Sequence, residues 1–300
     1  MTKDELLKNI RTLGIWKKRS QRAPHKPLLI LLYLGRRQTG QPRMGLFEEV
    51  EPKLTALLEE FGPTRKNYTP EEPFCRLRAD GIWELSVDLP AGVALSKTKL
   101  RAQKVAGGFL EEVEQLLKSE DSLIDQVATF LLREHFPSTL HEAILTEIGL
   151  DIDSIEDIED SKKRKKVRDP EFRQRILQAY DYRCAVCNFD VRLGKQPIAL
   201  EAAHIQWFNH GGPDTVNNGV ALCSMHHELL DRGAIGISPD SRLLVSEKVT
   251  GYAGLQEWIL DYEGKPLNQP RRIEYTLNHE FADWHIREVF KGEYREQAST

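Results

Sequence analysis

Residues 218–227 read Asn218-Gly219-Val220-Ala221-Leu222-Cys223-Ser224-Met225-His226-His227, and this run decides the fold of the second half of the chain. Within it, Cys223-x2-His226 is one half of a metal site. Cys184-x2-Cys187, upstream, is the other. Two such pairs supply the four tetrahedral ligands of a structural zinc, here three sulfurs and one nitrogen. A spacing of two residues lets one knuckle turn present both donors to one ion. With all four positions filled by protein, such a zinc is closed to chemistry and pins the chain between its half-sites. The competing reading is a coincidence of buried cysteines.

Working outward, Gln196–Ile205 reads as a strand, and His210-Gly211-Gly212-Pro213-Asp214 is a polar loop. A helix is expected near Glu171–Ala179 and an amphipathic one at Phe281–Ile286. Glu201, His204, Asn218 and His227 stand among and beside the zinc ligands. The order Cys184-x2-Cys187, Glu201-Ala202-Ala203-His204-Ile205, Gly211-Gly212-Pro213-Asp214, Asn218-Gly219, Leu222-Cys223, His226-His227 resembles a zinc-stabilised HNH endonuclease over about residues 170–236. The resemblance implies a ββα-metal fold, in which a hairpin and a helix grip a divalent ion.

Phosphodiester cleavage needs an activated water in line with the leaving 3′ oxygen, and a cation for the charge that develops there. A neutral imidazole can take the water's proton near pH 7, and that role falls to His204. By resemblance, His227 is a ligand of a catalytic Mg²⁺ or Mn²⁺, and Asn218 holds the loop of the base in place. The family often has Asp just before the first His. Here that position is Ala203, so Glu201 is the substitute carboxylate on the same strand. His210 and Asp214 could also approach the ion, though they read first as loop polar residues near a Gly-Gly turn; His285 reads as a packed helix residue, and Asp231 as a cap or supporting group.

The first half has a different character. Residues 6–47 carry ten basic side chains, among them Lys17, Lys18, Arg19, Arg22 and Lys26, and no acid, which suits an anionic partner such as nucleic acid. Thr2-Lys3-Asp4-Glu5 is a capping box ahead of a helix to about Leu13. Pro24–Arg37 reads as a buried helix, because Leu28–Leu34 is apolar without a break. Further helices are expected over residues 46–61, Phe109–Lys118, Ser122–His135 and Ser138–Ile148. Two short runs around Asp80-Gly81, Pro73–Arg78 and Ile82–Leu85, predict a hairpin.

Arg22-Ala23-Pro24-His25-Lys26-Pro27, Pro73-Phe74-x-Arg76-Leu77, Asp80-Gly81-Ile82-Trp83, Ala106-Gly107-Gly108-Phe109 and His135-Phe136-Pro137 resemble the sulfur-binding domain of restriction endonucleases that attack phosphorothioate-modified DNA. The match runs over nearly all of residues 5–150. It implies that the Pro73 ring and the Arg22 stem form a sulfur pocket. His25, Lys26, Phe74, Gly107 and Gly108 belong to the same DNA- or sulfur-binding set. Glu72 stands where an aromatic is expected, and Tyr68 is the residue that could replace it as a wall. The physics is direct. Sulfur is poorly hydrated, so an apolar notch strips little water from it, whereas an oxygen there loses hydrogen bonds at about 1–3 kcal/mol, or about tenfold to a hundredfold in affinity.

Residues 151–160 hold six acids and residues 161–168 six bases, a sign reversal that marks an exposed linker. The expected organisation is therefore 1–150 for recognition of phosphorothioate DNA, 151–168 as linker, and 169–300 as the HNH endonuclease domain. The fold class is α+β: a mixed helical domain with a small sheet, then a ββα-metal domain with structural zinc. Balanced charge (42 Lys+Arg, 46 Asp+Glu) with 40 % apolar residues excludes a disordered chain, and four cysteines are too few for a disulfide scaffold. No apolar run is long enough for a membrane span and no signal core follows Met1, so the cytoplasm is the expected compartment. The expected partner is double-stranded DNA with phosphorothioate linkages, with a homodimer reasonable because one HNH centre cuts one strand. The alternatives are an HNH nuclease aimed at methylated or unmodified DNA, or a zinc-stabilised DNA-binding module whose catalytic centre has decayed, for which Ala203 speaks.

Overall fold

The structure is a computed structural model that describes residues 1–15, 21–90, 92–120, 122–152 and 169–295. It divides into two compact units, Met1–Ser161 and Lys162–Thr300. Lys17, Lys18 and Arg19 of the basic run, and residues 153–168 of the expected linker, lie outside the described residues. Among the described residues, no helix is long and apolar enough to cross a membrane.

The first unit runs α1 (Lys3–Arg11), α2 (His25–Gln38), β1 (Gly45–Leu46), α3 (Phe47–Phe61), α4 (Glu71–Arg76), β2 (Trp83–Leu85), α5 (Lys97–Ala102), β3 (Ala106–Phe109), α6 (Glu111–Ser119), α7 (Ser122–His135) and α8 (His141–Ile148). The capping box of α1 forms: the Thr2 hydroxyl accepts the Glu5 N–H at 3.2 Å, and the Glu5 carboxylate accepts the Thr2 N–H at 2.7 Å. Leu28 to Leu34 of α2 are all buried. The helix is the axis of the unit, packed by α3, α4, α7 and α8. That packing is why its apolar run has no polar face.

One expectation fails in this unit. The hairpin read around Asp80-Gly81 is not one: Glu71–Arg76 is helical, and β2 pairs instead with β3, in a sheet of order β1-β3-β2. Pro70 and Pro73 fall at the cap and first turn of α4, where a missing N–H costs nothing, and Glu71 and Glu72 suit the positive end of the helix. Ahead of the expected helix α6, Gly107-Gly108 lies in the central strand β3. A Cβ on Gly108 would lie 2.2 Å from the Arg43 carbonyl oxygen, and one on Gly107 would lie 2.7 Å from the Phe74 ring. These glycines let a strand pass close to its neighbours.

The second unit runs α9 (Phe172–Ala179), β4 (Arg192–Leu193), β5 (Gln196–Pro197), β6 (Leu200–His204), β7 (Gly219–Cys223), α10 (Ser224–Asp231), β8 (Ile235–Ile237), β9 (Leu243–Val245), α11 (Leu255–Trp258) and α12 (His279–Glu288). β6 and β7 form an antiparallel pair, from Leu200 opposite Cys223 to His204 opposite Gly219. α10 follows β7 without a loop and packs back on both strands, and α9 covers them as well. The strand expected over Gln196–Ile205 is broken in two. Ala199 takes a φ of 49°, so β5 pairs with β4 and only β6 joins β7. The C-terminal stretch returns to this unit at several points. Asn268 Nδ2 donates to the Ala185 carbonyl at 2.9 Å, the Arg271 N–H to Ala179 at 2.8 Å, and the Lys291 N–H to Gly233 at 3.0 Å.

Candidate functional site

Cys184, Cys187, Cys223 and His226 come together with their ligand atoms all within 4.8 Å of one another. Cys184 Sγ is 3.8 Å from His226 Nδ1, Cys187 Sγ is 4.0 Å from Cys223 Sγ, and Cys223 Sγ is 3.1 Å from His226 Nδ1. Ligands about 2.3 Å from a tetrahedral ion stand about 3.8 Å apart, so the donor set fits zinc in spacing as well as in kind. His226 Nε2 donates to the Trp258 carbonyl at 3.1 Å, which turns Nδ1 toward the sulfurs.

The second cluster straddles β6 and α10. His227 Nδ1 lies 2.6 Å from Glu201 Oε2, and its Nε2 lies 3.3 Å from Asp231 Oδ2. The Ser224 hydroxyl donates to the other Glu201 oxygen at 2.7 Å. Burial alone depresses the His227 imidazole, but hydrogen bonds to Asp231 and Glu201 outweigh it and push the pKa up to about 10. The hydrogen bond from His227 in turn lowers the Glu201 carboxyl. Glu201 thus reaches His227, as a carboxylate standing in for the absent Asp at Ala203 would have to. Asp231, one turn beyond His227, is buried against it rather than capping the helix.

His204 closes β6. Its Nε2 lies 2.8 Å from Asp214 Oδ1, and its ring stacks on Phe172 at 4.1 Å and 16°. Asp214, read first as a loop residue, is therefore part of the cluster. Asn218 is fully buried. Its Oδ1 accepts the Gln206 N–H at 2.9 Å, and its Nδ2 donates to Gln206 and Pro213 carbonyls at 3.0 Å each. It thereby ties the chain just after His204 to the turn that presents Asp214. Gly212 in that turn has no room for a side chain: a Cβ would lie 1.8 Å from the Gln206 carbonyl oxygen. Glu201, His204 and Asp214 open on one cleft of about 350 Å³, with Asp169, Phe172 and Arg173 among the other walls. Sequence reasoning passed over Phe172 and ranked Asp214 as a loop group, while Asp231 supports His227 as one of its two readings allowed. Only the i,i+4 spacing of His227 and Asp231 offered a signal.

In the first unit, the residues expected at DNA divide into two groups. Phe74 is fully buried against Phe47 and Trp83, at 5.0 and 5.9 Å between ring centres, and Gly107 and Gly108 are strand packing positions. The Lys26 ammonium is paired with Asp80 at 2.5 Å and donates to the Gly14 carbonyl at 2.8 Å. These four hold the module together. The others are Arg22, His25, Tyr68 and Pro73. Arg22 is buried, its Nη2 donating to the Phe61 carbonyl at 2.5 Å. His25 is half-buried; burial first, then the charge of Arg65, lowers its pKa, while Glu72 opposes them. α4 packs on α2, so Glu72 and the buried Pro73 belong to the same neighbourhood. Glu72 is engaged by Arg76 one turn on. Tyr68 is half-buried, and its carbonyl accepts from Lys97 at 2.9 Å.

Residues 3–153 match the family model described as ScoMcrA-like, DNA sulfur-binding domain. Residues 184–238 match the one described as HNH endonuclease. No curated protein matches the chain. Among solved structures, the sulfur binding domain of ScoMcrA complexed with phosphorothioated DNA is 21 % identical, with a TM-score of 0.42, and the match covers 48 % of this chain and 94 % of that one. The sulfur binding domain of SprMcrA, also complexed with phosphorothioated DNA, is 23 % identical, with a TM-score of 0.43 and coverage of 50 % and 95 %. The modification dependent TagI restriction endonuclease is 21 % identical, with a TM-score of 0.30 and coverage of 41 % and 38 %.

Proposed function

The chain belongs to the ScoMcrA-like DNA sulfur-binding domain family and carries an HNH endonuclease domain, and from that premise we propose that it is a restriction endonuclease directed to phosphorothioate-modified double-stranded DNA. Residues 1–150 bind the modified linkage, residues 151–168 connect, and residues 169–300 cut. The observation that carries the reading is the presence of both family matches in one chain, the second coinciding with the His204 and His227 clusters around one hairpin.

His204 takes a proton from the attacking water. The water oxygen bonds to phosphorus as the phosphorus–O3′ bond breaks, and O3′ leaves with the electron pair. Glu201 would hold a Mg²⁺ or Mn²⁺ ion, and His227 would join it only on giving up a ring proton that its contacts with Glu201 and Asp231 favour; substrate oxygens and water would complete the shell of such a hard cation. When bound, the ion supplies positive charge for the leaving oxygen. Asn218 fixes the geometry of the base without touching substrate. Cys184, Cys187, Cys223 and His226 hold the structural zinc. The family resemblance assigns Arg22, His25, Tyr68 and Pro73 to the sulfur notch. The proposed compartment is the cytoplasm, and two copies acting on opposite strands would give a double-strand cut.

The test is incubation of the full chain with otherwise identical phosphorothioate and ordinary duplexes, with and without Mg²⁺ or Mn²⁺. Cleavage is expected only with sulfur and cation together, and His204→Ala should bind the modified duplex but not cut it. Equal cleavage of both duplexes would remove the sulfur reading. Cutting by His204→Ala at the wild-type rate would remove the catalytic one.

A further inference from the structure

We propose that Asp214 is a positioning residue for the nuclease reaction: its carboxylate fixes the tautomer and the orientation of the His204 ring. The inference rests on the reading of His204 as the general base. Asp214 Oδ1 lies 2.8 Å from His204 Nε2. A carboxylate can only accept, so the proton of the neutral ring sits on Nε2 and the lone pair is on Nδ1. The water's proton therefore goes to Nδ1, and the imidazolium that forms is stabilised by the carboxylate behind it. Phe172, stacked on the ring at 4.1 Å, restricts its rotation about the remaining axis.

The carboxylate is itself held. Its Oδ2 accepts the Asp169 N–H at 2.7 Å, and the Asp214 carbonyl accepts from Arg175 Nη2 at 3.0 Å. Arg175 also pairs with the Asp169 carboxylate at 2.7 Å. On the other side, Asn218 grips the Pro213 carbonyl at 3.0 Å. Asp214 is thus fastened from α9 and from the loop, with side-chain exposure of only 12 %. An acid held so firmly against one ring nitrogen is a built feature of the site rather than a solvated loop group.

The experiment compares the full-length wild type with Asp214→Asn, Asp214→Glu and His204→Ala on phosphorothioate duplex with Mn²⁺. Asp214→Asn is expected to lower kcat by about 10- to 100-fold with KM unchanged. The acid limb of its pH–rate profile should move to lower pH, because the imidazolium loses the charge that favoured it. Asp169, Arg173 and Glu201 also line the cleft; they are the same in both proteins, so the shift reads Asp214. Asp214→Glu should recover part of the rate. Nitrogen-15 NMR of the wild type should find the neutral His204 ring protonated on Nε2, which decides the matter even if Asp214→Asn fails to fold. Wild-type kcat and an unmoved limb in Asp214→Asn, or a ring protonated on Nδ1, would overturn the proposal while leaving the nuclease reading intact. A wild type that does not cut, or a His204→Ala that does, would overturn the reading beneath it and the proposal as well.

Discussion

His25, the first residue of α2, is half-buried beside Arg65 and the first turn of α4, and its pKa is lowered. In the unfolded chain it titrates near about 6.5. Below that pH the unfolded state binds the proton that the folded state resists. The stability is therefore complete above about pH 6.5 and is lost as pH falls through the folded value. Denaturant unfolding of the full chain at about pH 7.5 and about pH 5 should show a larger loss for wild type than for His25→Gln. Asp214 shows why single residues are hard to read. Nothing in Gly212-Pro213-Asp214 says that the carboxylate meets His204, because the encounter depends on where a loop folds back. The zinc ligands were legible because their spacing is itself the chemistry.

At the scale of elements, the knuckles carry the second unit. Cys223 ends β7 and His226 lies in the first turn of α10, so a metal held there would join the sheet to the helix that bears His227. Cys223→Ser, or a strong chelator, is expected to remove one zinc per chain by elemental analysis and to unfold the unit that holds it, with cleavage lost as a consequence. In the first unit, Gly108→Ala should destabilise by about 1–3 kcal/mol in denaturant titrations, since the new methyl meets a backbone oxygen that has nowhere to move. The helices were the legible elements. Ser122–His135 has the bounds that its apolar spacing gives. The 70–85 stretch was not legible as read, because alternation over so few residues cannot separate a strand from a single helical turn. The Pro70-Glu71-Glu72-Pro73 start was the better guide, and the true partner of β2 lies over twenty residues away in sequence.

For the molecule as a whole, the formal charge of -4 hides a basic first segment. Phosphate contacts are salt-dependent and indifferent to sulfur. Affinities for phosphorothioate and ordinary duplex should fall together as salt rises, with the same slope. Their ratio, set by the notch at about tenfold to a hundredfold, should stay constant. Fluorescence anisotropy across a salt series measures both; a ratio that collapses with salt would assign the preference to charge. The nuclease unit carries a practical lesson of its own. Its recognisable signature covers residues 184–238, yet Trp258 fixes the ring of His226, and Asn268 and Arg271 brace the segments around the first knuckle. Anyone grafting this cutter onto another targeting module must carry the tail along, because trimming it to its signature would discard the clamp that keeps the blade in shape.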